Sequence, residues 1–184
     1  MRIETDRLLL RPWKESDAES LYTIAKDPHI GPLAGWLPHA NKDDSRQVIK
    51  GILTAPEIYC ITLKGEGEII GSVGLHFDEE SVIGLADNDA EIGYWIAYQH
   101  WGNGYATEAV SALVDRAFSE LHIQNLWCRY LPRNKKSKRV SEKLGFSFHH
   151  VAKERYWKEL DQVVSERVSK LEIETWRKKK KAAK

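Results

Sequence analysis

Cysteine is scarce in this chain of 184 residues: Cys60 and Cys128 are the only two, 68 positions apart, each inside an apolar run. That leaves no disulfide framework and suits buried free thiols in a reducing compartment. Long apolar runs are missing too. The start, Met1-Arg2-Ile3-Glu4-Thr5-Asp6, lacks the hydrophobic stretch of a secretion signal, and no segment approaches the roughly 18 apolar residues of a membrane span. A soluble, cytoplasmic protein with no membrane contact is expected. Histidines are scattered and the pair His149-His150 matches no ligand spacing, so no metal site is expected. Net charge is almost absent, 28 basic against 27 acidic residues, but the balance is uneven. Residues Arg177 to Lys184 hold six basic residues and no acid, which leaves 22 against 27, or −5, for the rest. The expected organisation is one domain over residues 1–176 and a basic tail over 177–184, its run Lys178 to Lys181 frayed and solvated, with no direct nucleic-acid binding.

What is present is a core. Hydrophobic residues make up 42% of the chain and aromatics 10%, including seven Trp, too much apolar surface for a disordered polymer. Periodicity alternates between two and 3.6, so the fold class is a mixture of α and β. Strands are predicted at Leu8 to Pro12, Ile58 to Leu63, Glu68 to Phe77, Ala90 to Tyr98, Leu126 to Leu131, Ser147 to Trp157 and Val163 to Thr175. Helices are predicted after Ser16, whose partner Glu19 could complete a reciprocal cap, from Asp44, after Gly104, and from Asn134 to Gly145. Trp95, Trp127 and Trp157 fall in strands and read as core residues.

The most informative stretch is Gln99-His100-Trp101-Gly102-Asn103-Gly104-Tyr105-Ala106, a strand, a glycine turn and a helix start. Amides at a helix start lack intrahelical partners and carry partial positive charge, and glycine lets a phosphate approach them. The turn has no Gly-Lys-Ser/Thr, and Thr107 stands where a dinucleotide fingerprint has its third glycine, which disfavours an ATPase or a dehydrogenase. Taken alone, two glycines could equally make a tight turn and nothing more.

Gln99-x-x-Gly102-x-Gly104 resembles the acetyl-CoA pyrophosphate loop of the GNAT superfamily of N-acetyltransferases. Asn134-x-x-Ser137-x-x-Val140-x-x-Lys143-Leu144-Gly145-Phe146 resembles the second signature of that superfamily, and it follows at a fitting distance. Thr5-Asp6-Arg7-Leu8-Leu9-Leu10-Arg11-Pro12 and Glu91-Ile92-Gly93-Tyr94-Trp95-Ile96 look like the Rim-type branch, which includes ribosomal-protein N-terminal acetyltransferases. The resemblance implies a GNAT-like twisted mixed sheet of about seven strands and about four helices, splayed open between its fourth and fifth strands. It also implies acetyl-CoA as cosubstrate, with the pyrophosphate on the amides of Trp101, Gly102, Asn103, Gly104, Tyr105 and Ala106. Backbone groups of Ile96 and Tyr98 would pair with pantetheine as an added strand, Asn134 and Ser137 would border it, and Lys136 could reach the phosphorylated ribose or point to solvent.

Acetyl transfer from a thioester to an amine needs a neutral amine, a stabilised oxyanion and a proton for the departing thiolate. Glu91 is the candidate base, alternation placing it with Gly93 and Trp95; it could equally be a surface carboxylate. Ser141, seven residues beyond Asn134 where many relatives carry Tyr, is the candidate proton donor, or it packs the helix; Tyr130 and Tyr105 are weaker candidates. Neither Cys falls near the loop and Ser141 has no evident His partner, so direct attack in a ternary complex is expected over a covalent acyl-enzyme. Asp78, Glu79, Glu80, Asp87, Asp89 and Glu91 could form an acidic mouth that attracts a cationic amine, with Trp36 and Pro38 as a wall, or simply a solvated loop. Candidate acceptors are the amino terminus of a ribosomal protein or a small amine such as an aminoglycoside, polyamine or amino acid. A non-catalytic acyl-CoA-binding sensor remains the alternative of another class, and a homodimer is open.

Overall fold

The computed structural model of the chain describes residues 1–77 and 84–182. In chain order these form β1 (Ile3–Glu4), β2 (Leu8–Arg11), α1 (Ala18–Ala25), α2 (Gly31–Ala34), α3 (Lys42–Val48, continued by a wider turn over Ile49–Leu53), β3 (Ile58–Leu63), β4 (Ile69–His76), β5 (Asp89–Ile96), α4 (Tyr105–Ser119), β6 (Asn125–Tyr130), α5 (Lys135–Leu144), β7 (Ser147–Val151), β8 (Arg155–Trp157), β9 (Gln162–Val164), β10 (Arg167–Glu172) and α6 (Ile173–Ala182). An eight-stranded mixed sheet has the order β1-β2-β3-β4-β5-β6-β10-β7, and β8 and β9 form a separate hairpin.

Burial explains which residues chose which element. β3 and β4 are buried along nearly their whole length, because α4 covers one face of the sheet and α1 with α3 the other. Strands covered on both sides need continuous apolar runs, and both segments supply them. Ala109, Val110, Leu113 and Ala117 form the buried stripe of α4 against Ile61, Val73, Ile92 and Leu126. Trp13, Leu21, Ile24, Ile49 and Leu53 cover the opposite face. The core is anchored by a bidentate ion pair: Arg116 of α4 donates from Nε and an Nη to the carboxylate of Glu57, both at 2.6 Å, and Tyr59 donates to the same carboxylate at 2.8 Å.

Every neighbouring pair in the large sheet is antiparallel except β5 with β6, which run parallel and pair only over Asp89↔Asn125, Ala90↔Leu126 and Glu91↔Trp127. Past Glu91 the strands part. The expected split between the fourth and fifth strands is therefore present, with the count raised by the short β1.

Several local expectations need correction. The first long helix has no Ser16/Glu19 box; it starts at Ala18 after a tight turn, where Asp17 accepts from the Lys14 amide (2.9 Å) and from Arg11 (2.7 and 3.0 Å). α3 is capped not by Asp44 but by Asn41, which accepts the Asp44 amide at 2.9 Å. The two long C-terminal strands each break: β7 and β10 stay in the sheet, and β8 and β9 peel away as a hairpin turned at Asp161 (φ 48°). The basic tail continues α6 and is helical through Ala182. Just before it Trp176 packs on Phe118 and donates to Asp115 at 2.7 Å, and Lys180 of the tail pairs with the same carboxylate at 2.6 Å.

Candidate active site

The parting of β5 and β6 opens a cleft in two connected compartments. Ala97 donates its amide to Ile70 of β4 at 2.8 Å, so strand alternation turns the amide groups of Tyr94 and Ile96 the other way, toward the gap that β6 has vacated. The first compartment, about 310 Å³, lies along this edge and is lined by Ile96, Trp101, Gly102, Gly104, Tyr105, Ala106 and one side of α5 from Lys136 to Lys143. Gly102 (φ 86°) and Gly104 (φ 83°) both adopt the left-handed conformation that side chains disfavour, and Gly104 caps α4, leaving the first amides of that helix facing the cleft. A brace that the sequence did not announce holds this turn. Glu108, in the first turn of α4, accepts from Thr5 (2.6 Å), from the Arg7 amide (2.8 Å) and from Arg7 Nε (2.7 Å), while Arg7 also donates to the Asn103 carbonyl (3.0 Å).

Not every residue expected along the cofactor edge lies there. Tyr98 belongs to the tight turn after β5 and is exposed, stacked on His29 at 4.3 Å; Gln99 is exposed beside it, and neither lines the cleft. β5 ends at Ile96 because Trp101 Nε1 donates to the Ile96 carbonyl at 2.7 Å and draws the chain into its turn. The free edge is thus offered by Tyr94 and Ile96, not Ile96 and Tyr98. Asn134 caps α5 by accepting the Ser137 amide at 3.0 Å, and both residues line both compartments.

The second compartment, about 520 Å³, continues past Tyr94, Trp95, Asn134 and Ser137. Trp36 lines it, edge-on to Trp95 at 6.3 Å, whereas Pro38 does not. Trp95 and Trp127 are half-buried, not core residues; only Trp157 is buried, and it forms the outer wall with the β8–β9 hairpin. Within this compartment sits a compensated charge network. Glu91 accepts from Arg129 Nε at 2.7 Å, Arg129 also donates to Glu166 at 3.1 Å, and Arg155 pairs with Glu166 at 3.1 Å. Burial works against the Arg129 charge, but the bond to Glu91 and the charges of Glu91 and Glu166 together outweigh it, so its proton is held more tightly than usual. His39 lines the same wall, burial depresses its basicity, and its Nδ1 lies 2.8 Å from Ser45 Oγ.

The expected acidic mouth is corrected accordingly. Asp89 is buried, accepting from Asn125 and Trp127 (both 2.7 Å) to clamp the short parallel pairing, and of the cluster Glu91 alone lines the compartment among the described residues. Asp78, Glu79 and Glu80 lie outside the described residues. Ser141 is also displaced from its expected role. It is 3% exposed, does not line the cleft, and donates to the Cys128 Sγ at 3.5 Å, because it faces β6 across the helix interface. The hydroxyls at the junction of the compartments are instead Tyr94 and Ser137, 2.7 Å apart, and burial pushes the Tyr94 hydroxyl well above its usual range. Arg129, Glu166 and His39 went unmarked in the sequence, and Tyr94 stood there only within the Rim-like stretch, without a role; the alternation Trp127, Arg129 on β6 was the available signal for the first.

Comparison with known proteins gives a consistent result. The acetyltransferase (GNAT) domain family matches residues 7–147. An uncharacterized N-acetyltransferase of Bacillus subtilis, YoaA, is 30% identical over 152 residues, 78% of this chain and 81% of its own. The crystal structure of a GNAT-family acetyltransferase from Bacillus anthracis superposes with a TM-score of 0.83 at 22% identity, over 95% of this chain and 99% of that one. A structure from Vibrio cholerae, provisionally named a ribosomal-protein-serine acetyltransferase, gives 0.75 at 22% identity over 94% and 97%.

Proposed function

Since the chain belongs to the GNAT acetyltransferase family, we propose that it transfers acetyl from acetyl-CoA to a primary amine, the N-terminal α-amine of a protein, by direct attack in a ternary complex. The observation that carries this reading is the continuity of the two compartments: a glycine turn with free helix amides at one end, a strand edge along the middle, and a pocket holding ionisable groups at the other. The residues present fit the cosubstrate. The α4 amides and Gly102–Gly104 suit a pyrophosphate, the edge amides of Tyr94 and Ile96 suit the amide-bearing arm, and no carboxylate lines that compartment among the described residues.

Acetyl-CoA supplies an activated thioester. The chain must orient the amine, accept its proton and return one to sulfur. Glu91, fixed by Arg129, is the proposed proton acceptor, with His39 another cleft group able to serve. The Tyr94–Ser137 hydroxyl pair stands where the compartments meet and is the proposed donor to the leaving thiolate. An α-amine, with pKa about 8, is roughly a tenth neutral at pH 7, whereas a Lys side chain near 10.4 is neutral in only a few parts in ten thousand. A site whose carboxylates, Glu91 and Glu166, are both ion-paired and whose imidazoles are His39 and His76 suits the former. The name of the Vibrio cholerae structure points the same way.

Mass spectrometry of protein amino termini from cells with and without the protein tests the acceptor, alongside thiol release in vitro from acetyl-CoA with peptides and small amines. Acetyl groups on Lys side chains would sink the α-amine assignment, turnover on small amines only would replace it, and CoA binding without turnover on any acceptor would favour a sensor module. In Glu91→Gln, turnover should fall most at low pH with CoA affinity unchanged; an unaltered rate profile removes Glu91 from the base role.

A further inference from the structure

Among the described residues, the buried side-chain polar atoms without a hydrogen-bond partner are Arg155 Nε, Trp157 Nε1 and Arg167 Nε. All of them belong to β8 or to the start of β10, at the outer wall of the cleft. Arg167 lies over the Phe148 ring, 4.2 Å from its centroid, and does not line the second compartment. Arg155 and Trp157 both do. Two positions apart on one strand, they share a face. Tyr156 between them is exposed and donates to Asp161 at 2.6 Å. The Arg155 guanidinium carbon is 5.6 Å from the Trp157 ring centroid, and Trp157 itself is only 7% exposed, so two unanswered N–H groups stand close together in the wall.

An indole and a guanidinium can only donate, so the group that completes them is an oxygen that accepts. Leaving such donors buried and unanswered is costly, and an acceptor brought by a ligand recovers that cost. Charge narrows the choice of oxygen. Glu91 and Glu166 balance Arg129 and Arg155 within one network, which leaves no surplus cation for a carboxylate and favours a neutral carbonyl. A protein amino terminus carries backbone carbonyls in its first residues; a polyamine has none, and a free amino acid presents a carboxylate. We propose that Trp157 Nε1 and Arg155 Nε receive a backbone carbonyl near the acceptor's amino terminus, so that the hairpin selects peptide amines over polyamines and free amino acids. Neither nitrogen is open to water in this structure. The carbonyl reaches them by a small turn of β8, which belongs to a two-stranded piece that is marginal by itself. The inference rests on the second compartment being the acceptor end and adds the group by which the acceptor is recognised.

Steady-state kinetics of the full chain with acetyl-CoA tests it, using a tetrapeptide amide and, as an acceptor without a carbonyl, spermidine. Trp157→Phe keeps an aromatic ring and removes the N–H. It should raise KM for the peptide about five- to tenfold, the worth of one hydrogen bond, with kcat and the calorimetric affinity for CoA within about twofold. Each acceptor is compared with itself across the two proteins, so the different basicities of the two amines cancel. KM for spermidine should rise by less than about twofold, or spermidine should not be turned over at all. If Trp157→Phe loses CoA binding as well, Arg155→Lys, which keeps a charge for Glu166 and removes Nε, carries the same comparison. A peptide KM that does not move, or a spermidine KM that rises as much as the peptide's, would overturn the assignment while leaving the α-amine reading intact. Absence of turnover on the peptide would remove that reading and the inference together.

Discussion

Replacing Glu57 by Gln probes the joint that holds α4, and with it the glycine turn, against the sheet. The substitution keeps the side-chain shape and removes the charge facing Arg116, whose side chain is 9% exposed and whose Nε and Nη both bond to Glu57 at 2.6 Å. Breaking a buried pair on one side costs about 3 to 5 kcal/mol when the remaining charge has no other partner. Here Arg116 keeps Glu120 at 2.5 Å and the Glu57 side chain is itself 16% exposed, so we expect the lower range, about 2 to 3 kcal/mol. For a chain of this size that is about 5 to 10 °C in melting temperature. The pH dependence gives a second handle. The bonds from Arg116 hold the Glu57 carboxyl below its usual value of 4.5 in the folded protein. A depressed carboxyl stabilises the fold fully above its unfolded pKa, and that contribution is lost as pH falls through the folded one. Thermal melts of both proteins should therefore differ most at pH 6 to 8 and converge as pH drops below about 4. A Gln variant as stable as wild type at neutral pH, or a difference that does not shrink in acid, would refute the argument.

Ser137→Ala should lower turnover by about a hundredfold, the low end of the range for a lost general acid, while Ser141→Ala should alter melting by about one degree per few tenths of a kcal/mol and leave turnover within about twofold; steady-state kinetics with the reverse ranking would restore Ser141. Burial raises the Cys60 thiol to about 12 and the Cys128 thiol to about 11, so neither should react with a thiol reagent at pH 8 until the protein is unfolded, and rapid labelling of the native chain would contradict their placement. A methyl group at Gly71 would run into the carbonyl oxygen of Trp95, so Gly71→Ala should force β4 and β5 apart at the cleft edge. The expected loss is about 1 to 3 kcal/mol with weakened CoA binding, measured by denaturation and calorimetry, and normal values for both would be the negative result.

The parts of the site legible in sequence are those where backbone geometry dictates the residue. Gly102 and Gly104 sit at positive φ before a helix, Asn134 caps a helix and Gly145 (φ 97°) ends it, and each left its mark in the order of residues. Side-chain pairings across the sheet left none. Glu91 meets Arg129 across 38 positions and Arg129 meets Glu166 across 37, contacts created by β6 lying between β5 and β10. Ser141 was misplaced for a helical reason. It lies four residues beyond Ser137 and so near the same face of α5, but at Ser141 that face packs against Cys128 of β6 and not on the cleft. The two C-terminal strands read as continuous because their apolar alternation is; the break comes from Trp157 and Val164 leaving the sheet to pack with Leu131, Leu33 and Leu160.

That small cluster under the β8–β9 hairpin makes the protein modular. The end of the cleft assigned to the cosubstrate is written into the main sheet and α4, where a change disturbs the principal core. The end proposed to take the acceptor is closed by an appendage with a small core of Leu131, Trp157 and Val164, joined to the rest through Leu33 and through the Arg155–Glu166 pair. A two-stranded piece of this size is marginal by itself, so it holds its position by what it leans on and its residues can be exchanged without taxing the sheet. On the proposed reading of the cleft, acceptor preference can drift while the chemistry stays put, and the hairpin is where an altered specificity would be selected first.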